Sequence, residues 1–271
     1  MRKNMEVIDV LLEASKRVYD NVKHLAGTKE SGGDFGIGAG GDISRNIDMI
    51  AEKTVLDYLK EIKFDCIVLG EECGKVELSK NPRGFIIMDA VDGSTNAVRG
   101  VPFFCCSLAF ATNNKLSSVT DGVVIDLSRG DTYHATKGKG AFLNRERISV
   151  NKDKNPIYFV LGLDISGISA KVLGSLSPII ASSNHIRHFG ANALEFGMLA
   201  RGLIDAFIDL RGKIRVTDIA AGVLIALEAG GYVVDRNGKP LDSDLGYHNK
   251  FSFIAAANKK DLDDIMDKLN H

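Results

Sequence analysis

Two predicted strands and one predicted helix in this 271-residue chain carry carboxylates at their ends. Ile67-Val68-Leu69-Gly70 runs into Glu71-Glu72, and Phe85-Ile86-Ile87-Met88 runs into Asp89-Ala90-Val91-Asp92. Far along the chain, Val216-Thr217-Asp218 opens an apolar helix, Ile219–Leu227, and Asp48 sits on an earlier helix. A lone charge at the end of a buried strand is costly unless it is paired, protonated or bound to a metal ion. On a strand-to-turn corner Asp89 and Asp92 can converge on one point. Gly93 then lets the backbone bend, which frees the amides of Gly93, Ser94 and Thr95 to hold an anion at a helix start. Oxygen ligands without histidine or thiol select magnesium-class ions. Such ions beside an anion cradle imply phosphoryl chemistry. Each feature alone has a plainer role: an N-cap for Asp218, a turn for Asp89 and Asp92, a solvated pair for Glu71 and Glu72. Their coincidence carries the functional reading.

The remaining pattern gives the architecture. Ile8, Leu11, Leu12, Ser15, Val18, Tyr19, Val22 and Leu25 recur at helical spacing, which predicts a helix over 5–25, and Ile47 to Ile62 predict a second. Strand-like runs at 66–69, 85–88, 104–111, 119–127, 132–135 and 141–150, separated by short turns, predict an antiparallel meander. Beyond residue 150 the pattern changes to strands at 158–165, 179–182, 186–190, 204–210, 232–235 and 251–256, with helices reaching about 174 and over 191–201, 218–229 and 261–269. The expected fold is therefore an α+β half over 1–150, helices on an antiparallel sheet with most of the candidate metal ligands. A smaller α/β half over 151–271 carries Asp218.

Several classes are disfavoured. Thirty-four basic against 35 acidic residues leave a net charge of −1, unlike a nucleic-acid binder. No apolar stretch approaches the roughly 18 residues of a membrane span. The N-terminus lacks the apolar core of a signal peptide, so a cytoplasmic protein is expected. Cys66, Cys73, Cys105 and Cys106 have no metal-site spacing and read as buried reduced thiols. Gly36-Ile37-Gly38-Ala39-Gly40-Gly41 matches GxGxxG, but no buried strand precedes it, so a dinucleotide site is rejected. The segment Gly27–Asp42 reads as a flexible loop and a candidate lid.

Gly70-Glu71-Glu72, Asp89-Ala90-Val91-Asp92-Gly93-Ser94-Thr95-Asn96 and Thr217-Asp218-Ile219-Ala220-Ala221-Gly222 resemble, in order and spacing, the inositol monophosphatase and fructose-1,6-bisphosphatase superfamily. The Gly-x-Gly loop before Asp48 and the segment Asp209–Asp218 are most similar to its archaeal branch with both activities. The resemblance implies an α-β-α-β-α sandwich and a Mg2+-dependent phosphomonoesterase, with two to three ions per site and Mn2+ as an alternative. Glu71, Asp89 and the carbonyl of Val91 would hold one ion, Asp89, Asp92 and Asp218 a second, and Glu71 a looser third. Asp48 with Ser94 would orient or deprotonate the attacking water, without a phosphoenzyme. Asp92 and the amides of Gly93 and Ser94 would meet the substrate. Arg187 and Arg211 match positions that reach a distal phosphate, and Asp209 would accept a hydrogen bond from a sugar hydroxyl. Lys213 and Arg215 add charge, although each alone reads as a solvated surface base. With both arginines in the pocket, fructose 1,6-bisphosphate is favoured over inositol phosphate, dual activity being the expected outcome. The chain departs from the family in having Ala90 for proline, Ser94 for threonine and Gly40 for aspartate, with Asp42 nearby. A homodimer is implied too. The alternatives are an adenosine 3′,5′-bisphosphate 3′-phosphatase and a non-catalytic sugar-phosphate-binding relative.

Overall fold

The computed structural model describes residues 5–33, 35–41, 43–152, 158–246 and 249–270. Helix α1 (Val7–Val22) and helix α2 (Asn46–Glu61) each bury one apolar stripe: Val10, Leu11, Ala14, Val18 and Val22 on the first, Ile47, Ala51, Val55 and Leu59 on the second. Spacings of three and four put these residues on one face. That face packs with Val68, Ile86, Met88, Leu108 and Val123 of the first sheet in one apolar cluster. The sheet comprises β1 (Ile67–Gly70), β2 (Gly74–Glu77), β3 (Phe85–Asp92), β4 (Cys105–Ala111), β5 (Val119–Asp126), β6 (Thr132–Thr136), β7 (Gly140–Leu143) and β8 (Glu146–Ile148). Their order is β2-β1-β3-β4-β5-β6-β7-β8. From β3 to β8 it is the expected antiparallel meander, whereas β1 runs parallel to β3. Helix α3 (Ser94–Arg99) links β3 to β4.

The second sheet is built from β9 (Val160–Asp164), β10 (His185–Arg187), β11 (Ala206–Ile214), β12 (Tyr232–Val234) and β13 (Phe251–Ala256), in the order β10-β9-β11-β13-β12. Helices α5 (Asn192–Ala200) and α6 (Val216–Glu228) lie between the sheets. Phe196, Ile219 and Ile225 pack with Ile87, Ala109 and Val124 on one side and with Phe207 and Phe253 on the other. Every residue of α6 from Val216 to Ala226 is buried, as a helix covered on both sides requires. Helices α4 (Ala170–Ser182) and α7 (Lys259–Asn270) cover the outer face of the second sheet through Leu176, Ile179, Leu262 and Ile265. Five layers result: helix, sheet, helix, sheet, helix. No helix among the described residues is long and apolar enough to cross a membrane.

Two local expectations change. The apolar run 179–182 is the end of α4 rather than a strand, because four residues do not reveal their own period. The helix passes through Pro178, and the carbonyl of Gly174, which the proline nitrogen cannot serve, accepts instead from Ser177 Oγ at 2.8 Å. The stretch 141–150 divides into β7 and β8 at Asn144, whose φ is +55°.

Close packing between α5 and α6 makes a test. A Cβ on Gly222 would stand 2.7 Å from Phe196 Cβ. Gly222→Ala is expected to destabilise the chain by about 1–3 kcal/mol in denaturant unfolding, despite alanine's better helix propensity. Gly174→Ala, on exposed α4 with open space around it, is expected to stabilise by roughly 0.5–1 kcal/mol.

Candidate functional site

The strand carrying Asp89 and Asp92 continues past the expected corner. Side chains alternate along a strand, so residues three apart would face opposite ways. Here Asp89 pairs with Ser107 of β4 and Asp92 with Cys105, so three steps on β3 match two on β4. That bulge inserts one extra residue and brings both carboxylates to one face. Gly93 follows at φ +87°, and a Cβ there would lie 3.1 Å from Phe103 O and 3.2 Å from Gly190 O, so glycine is required. The first turn of α3 then presents Gly93, Ser94 and Thr95 to a cavity of about 780 Å³. Glu71, Asp89, Val91, Asp92 and Asp218 line the same cavity.

Oxygens of Glu71, Asp89 and Asp218 lie within 4.8 Å of one another. Asp92 stands outside that triple: its Oδ2 accepts from Ala193 N at 2.7 Å, at the start of α5, and from the Cys105 thiol at 3.7 Å. Asp48 and Asp218 repeat one local device. Each is the third residue of its helix and accepts the N–H of the residue preceding that helix, Arg45 at 2.8 Å and Arg215 at 2.9 Å. Asp48 Oδ1 is buried and has no partner among the described residues. It belongs to a residue that, with Glu71, Asp89, Val91 and Ser94, lines a second cavity of about 10 Å³. An oxygen-only donor set with an orphaned buried carboxylate oxygen fits a hard divalent ion.

Burial dominates the acidity of these groups. It raises Asp48 to about 7, with Glu72 adding to the rise and the Arg45 N–H opposing it. Glu71 rises to about 8 through burial, opposed by Arg215 and reinforced by Asp218. Asp92 rises to about 7 through burial and the neighbouring Asp218, and Asp89 rises well above the usual range through burial and the nearby Glu71.

Arg215 is not a solvated surface base. Its Nη2 meets Glu71 Oε1 at 2.7 Å and its Nε meets Asp218 Oδ1 at 3.1 Å. The glycine-rich segment docks over the same acids: Gly40 N donates to Glu71 O at 2.7 Å, Ala39 N to Glu72 O at 3.3 Å, and Ser44 Oγ to Glu72. Asp42, the expected stand-in for the aspartate that Gly40 replaces, lies outside the described residues.

The expected distal-phosphate pocket is only half assembled. Arg187 lies exposed on the edge strand β10, donates to the Ile186 carbonyl, and does not line the cavity. Arg211 does line it. Its Nη2 meets Asp164 Oδ2 at 2.6 Å, and its Nε meets the Asp209 carboxylate at 2.9 Å, so two acids already engage it. A shift in register between Asp209 and Ile214 swings Arg211, Gly212 and Lys213 out of the ladder towards the cavity.

Three acids were not singled out from the sequence. Asp164 ends the apolar strand β9 directly opposite Asp209, the same signal that marks Asp89. Glu52 follows Asp48 by one helical turn. Its two oxygens accept the N–H groups of Glu72 at 2.9 Å and Cys73 at 2.8 Å, pinning the loop that carries Glu71. Glu195, within α5, accepts from Gly190 N at 3.2 Å.

Five layers enclosing an acidic, oxygen-lined cavity define the class, a metal-dependent phosphatase of layered sandwich fold. The chain belongs to the inositol monophosphatase family, whose profile matches residues 3–270. A fructose-1,6-bisphosphatase/inositol-1-monophosphatase of Methanothermobacter thermautotrophicus is 33% identical over 96% of this chain and 95% of its own length. A bifunctional NADP phosphatase/NAD kinase of Methanococcus maripaludis is also 33% identical; the match covers 93% of this chain and spans 47% of that relative. A crystal structure described as an inositol monophosphatase–fructose 1,6-bisphosphatase superposes with a TM-score of 0.85 at 31% identity, covering 97% of this chain and all of that one.

A carboxyl whose value rises on folding stabilises the native state fully below its unfolded value near 4. That contribution is lost as pH climbs through the folded value. For Asp48, Asp92 and Glu71 the window is from about 4 to about 7 or 8. The metal-free chain is therefore expected to melt at lower temperature at pH 8.5 than at pH 5.5. Mg2+ requires the deprotonated acids, so its stabilising effect should be larger at pH 8.5. Differential scanning calorimetry at both pH values checks this, and an Mg2+ effect larger at pH 5.5 would contradict it.

Proposed function

We propose that this chain is a Mg2+-dependent phosphomonoesterase that releases phosphate from fructose 1,6-bisphosphate and inositol monophosphate by in-line attack of water. The observation that carries this reading is the convergence of Glu71, Asp89 and Asp218 beside the first turn of α3, in a chain of this family. Glu71, Asp89, Asp92, Asp218 and the carbonyl of Val91 would hold the ions. When bound, Mg2+ acidifies water and neutralises charge on the leaving oxygen. Asp48 is the base that takes the proton: burial brings it to about 7, and its Oδ1 is available beside Ser94, whose hydroxyl orients the water. The amides of Gly93 and Ser94 receive the non-bridging phosphate oxygens. Water oxygen bonds to phosphorus as Asp48 takes its proton, the phosphorus–oxygen ester bond breaks, and the departing alkoxide takes up a proton from solvent, to which Asp48 afterwards returns its own.

Selection among substrates rests on the opposite wall. Asp164 lines the cavity and can accept a hydrogen bond from a sugar or cyclitol hydroxyl, whereas Asp209, expected to do the same, is fully buried away from the lining and instead holds Arg211 from behind. With Arg187 away from the cavity, a second phosphate must be met by Arg211, Lys213 and Lys250. Dual activity follows more naturally than a preference for the bisphosphate. NADP belongs in the same assay because the Methanococcus maripaludis relative is named for that activity.

Phosphate release with Mg2+ from fructose 1,6-bisphosphate, inositol 1-phosphate and NADP tests the proposal. Asp89→Asn is expected to lose more than the roughly 10–100-fold typical of outer-sphere changes. Arg211→Ala is expected to lower kcat/KM about 10–100-fold for the bisphosphate and less for the monophosphate. An equal loss on both would make Arg211 structural, and no release from any substrate would sink the assignment.

A further inference from the structure

We propose that Arg215 is a resident cation of the acidic cluster, one that yields Glu71 and Asp218 to a divalent ion and then binds the substrate's phosphoryl oxygens. The inference rests on the phosphatase reading above and adds a phosphate ligand to it. Arg215 bridges two of the three acids whose oxygens converge, through Nη2 to Glu71 at 2.7 Å and Nε to Asp218 at 3.1 Å. Its backbone is fixed, because its N–H donates to Asp218 Oδ2 at 2.9 Å as α6 begins, so only the side chain is free to change partners. That side chain is 12% exposed and lines the same cavity as Gly93, Ser94 and Thr95.

Gly40 is shaped to this guanidinium. A Cβ at position 40 would stand 2.6 Å from Arg215 Nη1 and 2.9 Å from Glu71 Cγ, while the Gly40 N–H donates to the Glu71 carbonyl at 2.7 Å. The glycine leaves the space that the arginine head fills, beside an acid of the cluster. By contrast, the Arg17–Glu61 ion pair is solvent-exposed on both sides and sits in no such seat. Buried acids without a cation repel one another, so the guanidinium neutralises them in the metal-free chain. A divalent ion and a guanidinium cannot use the same carboxylate lone pairs, and the stronger hard cation takes the oxygens. The released planar fork lies on the cavity wall, where a phosphoryl dianion offers it bidentate partners.

Isothermal titration of the full chain with Mn2+, then of the metal-loaded chain with inorganic phosphate, tests this. Relative to wild type, Arg215→Met is expected to bind Mn2+ about tenfold more tightly and phosphate about tenfold more weakly. Gly40→Ala keeps the charge but removes its seat. Gly40 is outside the left-handed region, so alanine is tolerated by the backbone. This variant is expected to bind Mn2+ severalfold more tightly with phosphate affinity retained. Unchanged or weaker Mn2+ binding in Gly40→Ala means that only through-space charge matters, and overturns the displacement. Unchanged phosphate binding in Arg215→Met overturns the phosphoryl role. Wild type that binds no Mn2+ fails the phosphatase reading itself, whereas wild type that binds Mn2+ and phosphate indistinguishably from both variants fails only the role of Arg215.

Discussion

Everything else in this molecule answers to the burial of several carboxylates at one point. Asp48, Asp89 and Asp218 are between 4% and 6% exposed, and Glu71 and Asp92 are close to them. Removing water from like charges is expensive, and it is burial rather than any neighbour that chiefly lifts Asp48, Glu71, Asp89 and Asp92 above their ordinary range. The fold contains the cost with backbone amides. Arg45 N serves Asp48, Val91 N serves Asp89, Ala193 N serves Asp92 and Arg215 N serves Asp218. Three of those donors sit at or beside helix starts, where the helix dipole favours an anion. Among the described residues, the Arg215 guanidinium bridges two of the clustered acids.

The layers exist at this point for the same reason. Glu71 directly follows β1 and Asp89 lies on its parallel neighbour β3, Asp48 on the helix outside that sheet, and Asp218 on the helix between the sheets. Each element has its own apolar reason to be where it is. The stripe of α1 and α2 covers one side of the first sheet, and the all-round apolar α6 can only be satisfied between two sheets. Packing is therefore what sets the distances between acids from opposite ends of the chain. The far wall follows the same logic in reverse: Asp164 and Asp209 stand opposite each other on adjacent parallel strands, and Arg211 spans them.

Much of this was legible without coordinates. An apolar run ending in an acid marked Asp89 and Glu71, and the same signal at Leu161-Gly162-Leu163-Asp164 went unused because no motif drew attention to it. Arg187 lies exposed on an edge strand, whereas Arg215 is paired with Glu71 and Asp218 on the cavity wall, the reverse of what the sequence suggests. Both are basic residues near a motif, and sequence carries no measure of whether a side chain points along an edge strand or across a cavity. Glu52 and Glu195 were hidden because a carboxylate inside an apolar helix looks like a break in the stripe until its amide partners are known. The strand expected at 179–182 failed for want of length.

By itself, then, the sequence determined which residue types occur at which element ends, since hydropathy and turn chemistry are local properties. It thereby determined helices on an antiparallel sheet followed by an α/β half, and the carboxylates available for chemistry, while the five-layer class followed only from the resemblance of its motifs to a known family. The tertiary structure alone decided three things: that a one-residue bulge puts Asp89 and Asp92 on one face, that Arg215 reaches across to Glu71 beside Gly40, and that Arg211 rather than Arg187 faces the cavity. Each depends on register or on contact between segments distant in the chain. Those are fixed by the cooperative packing of the whole core, not by any single stretch of residues.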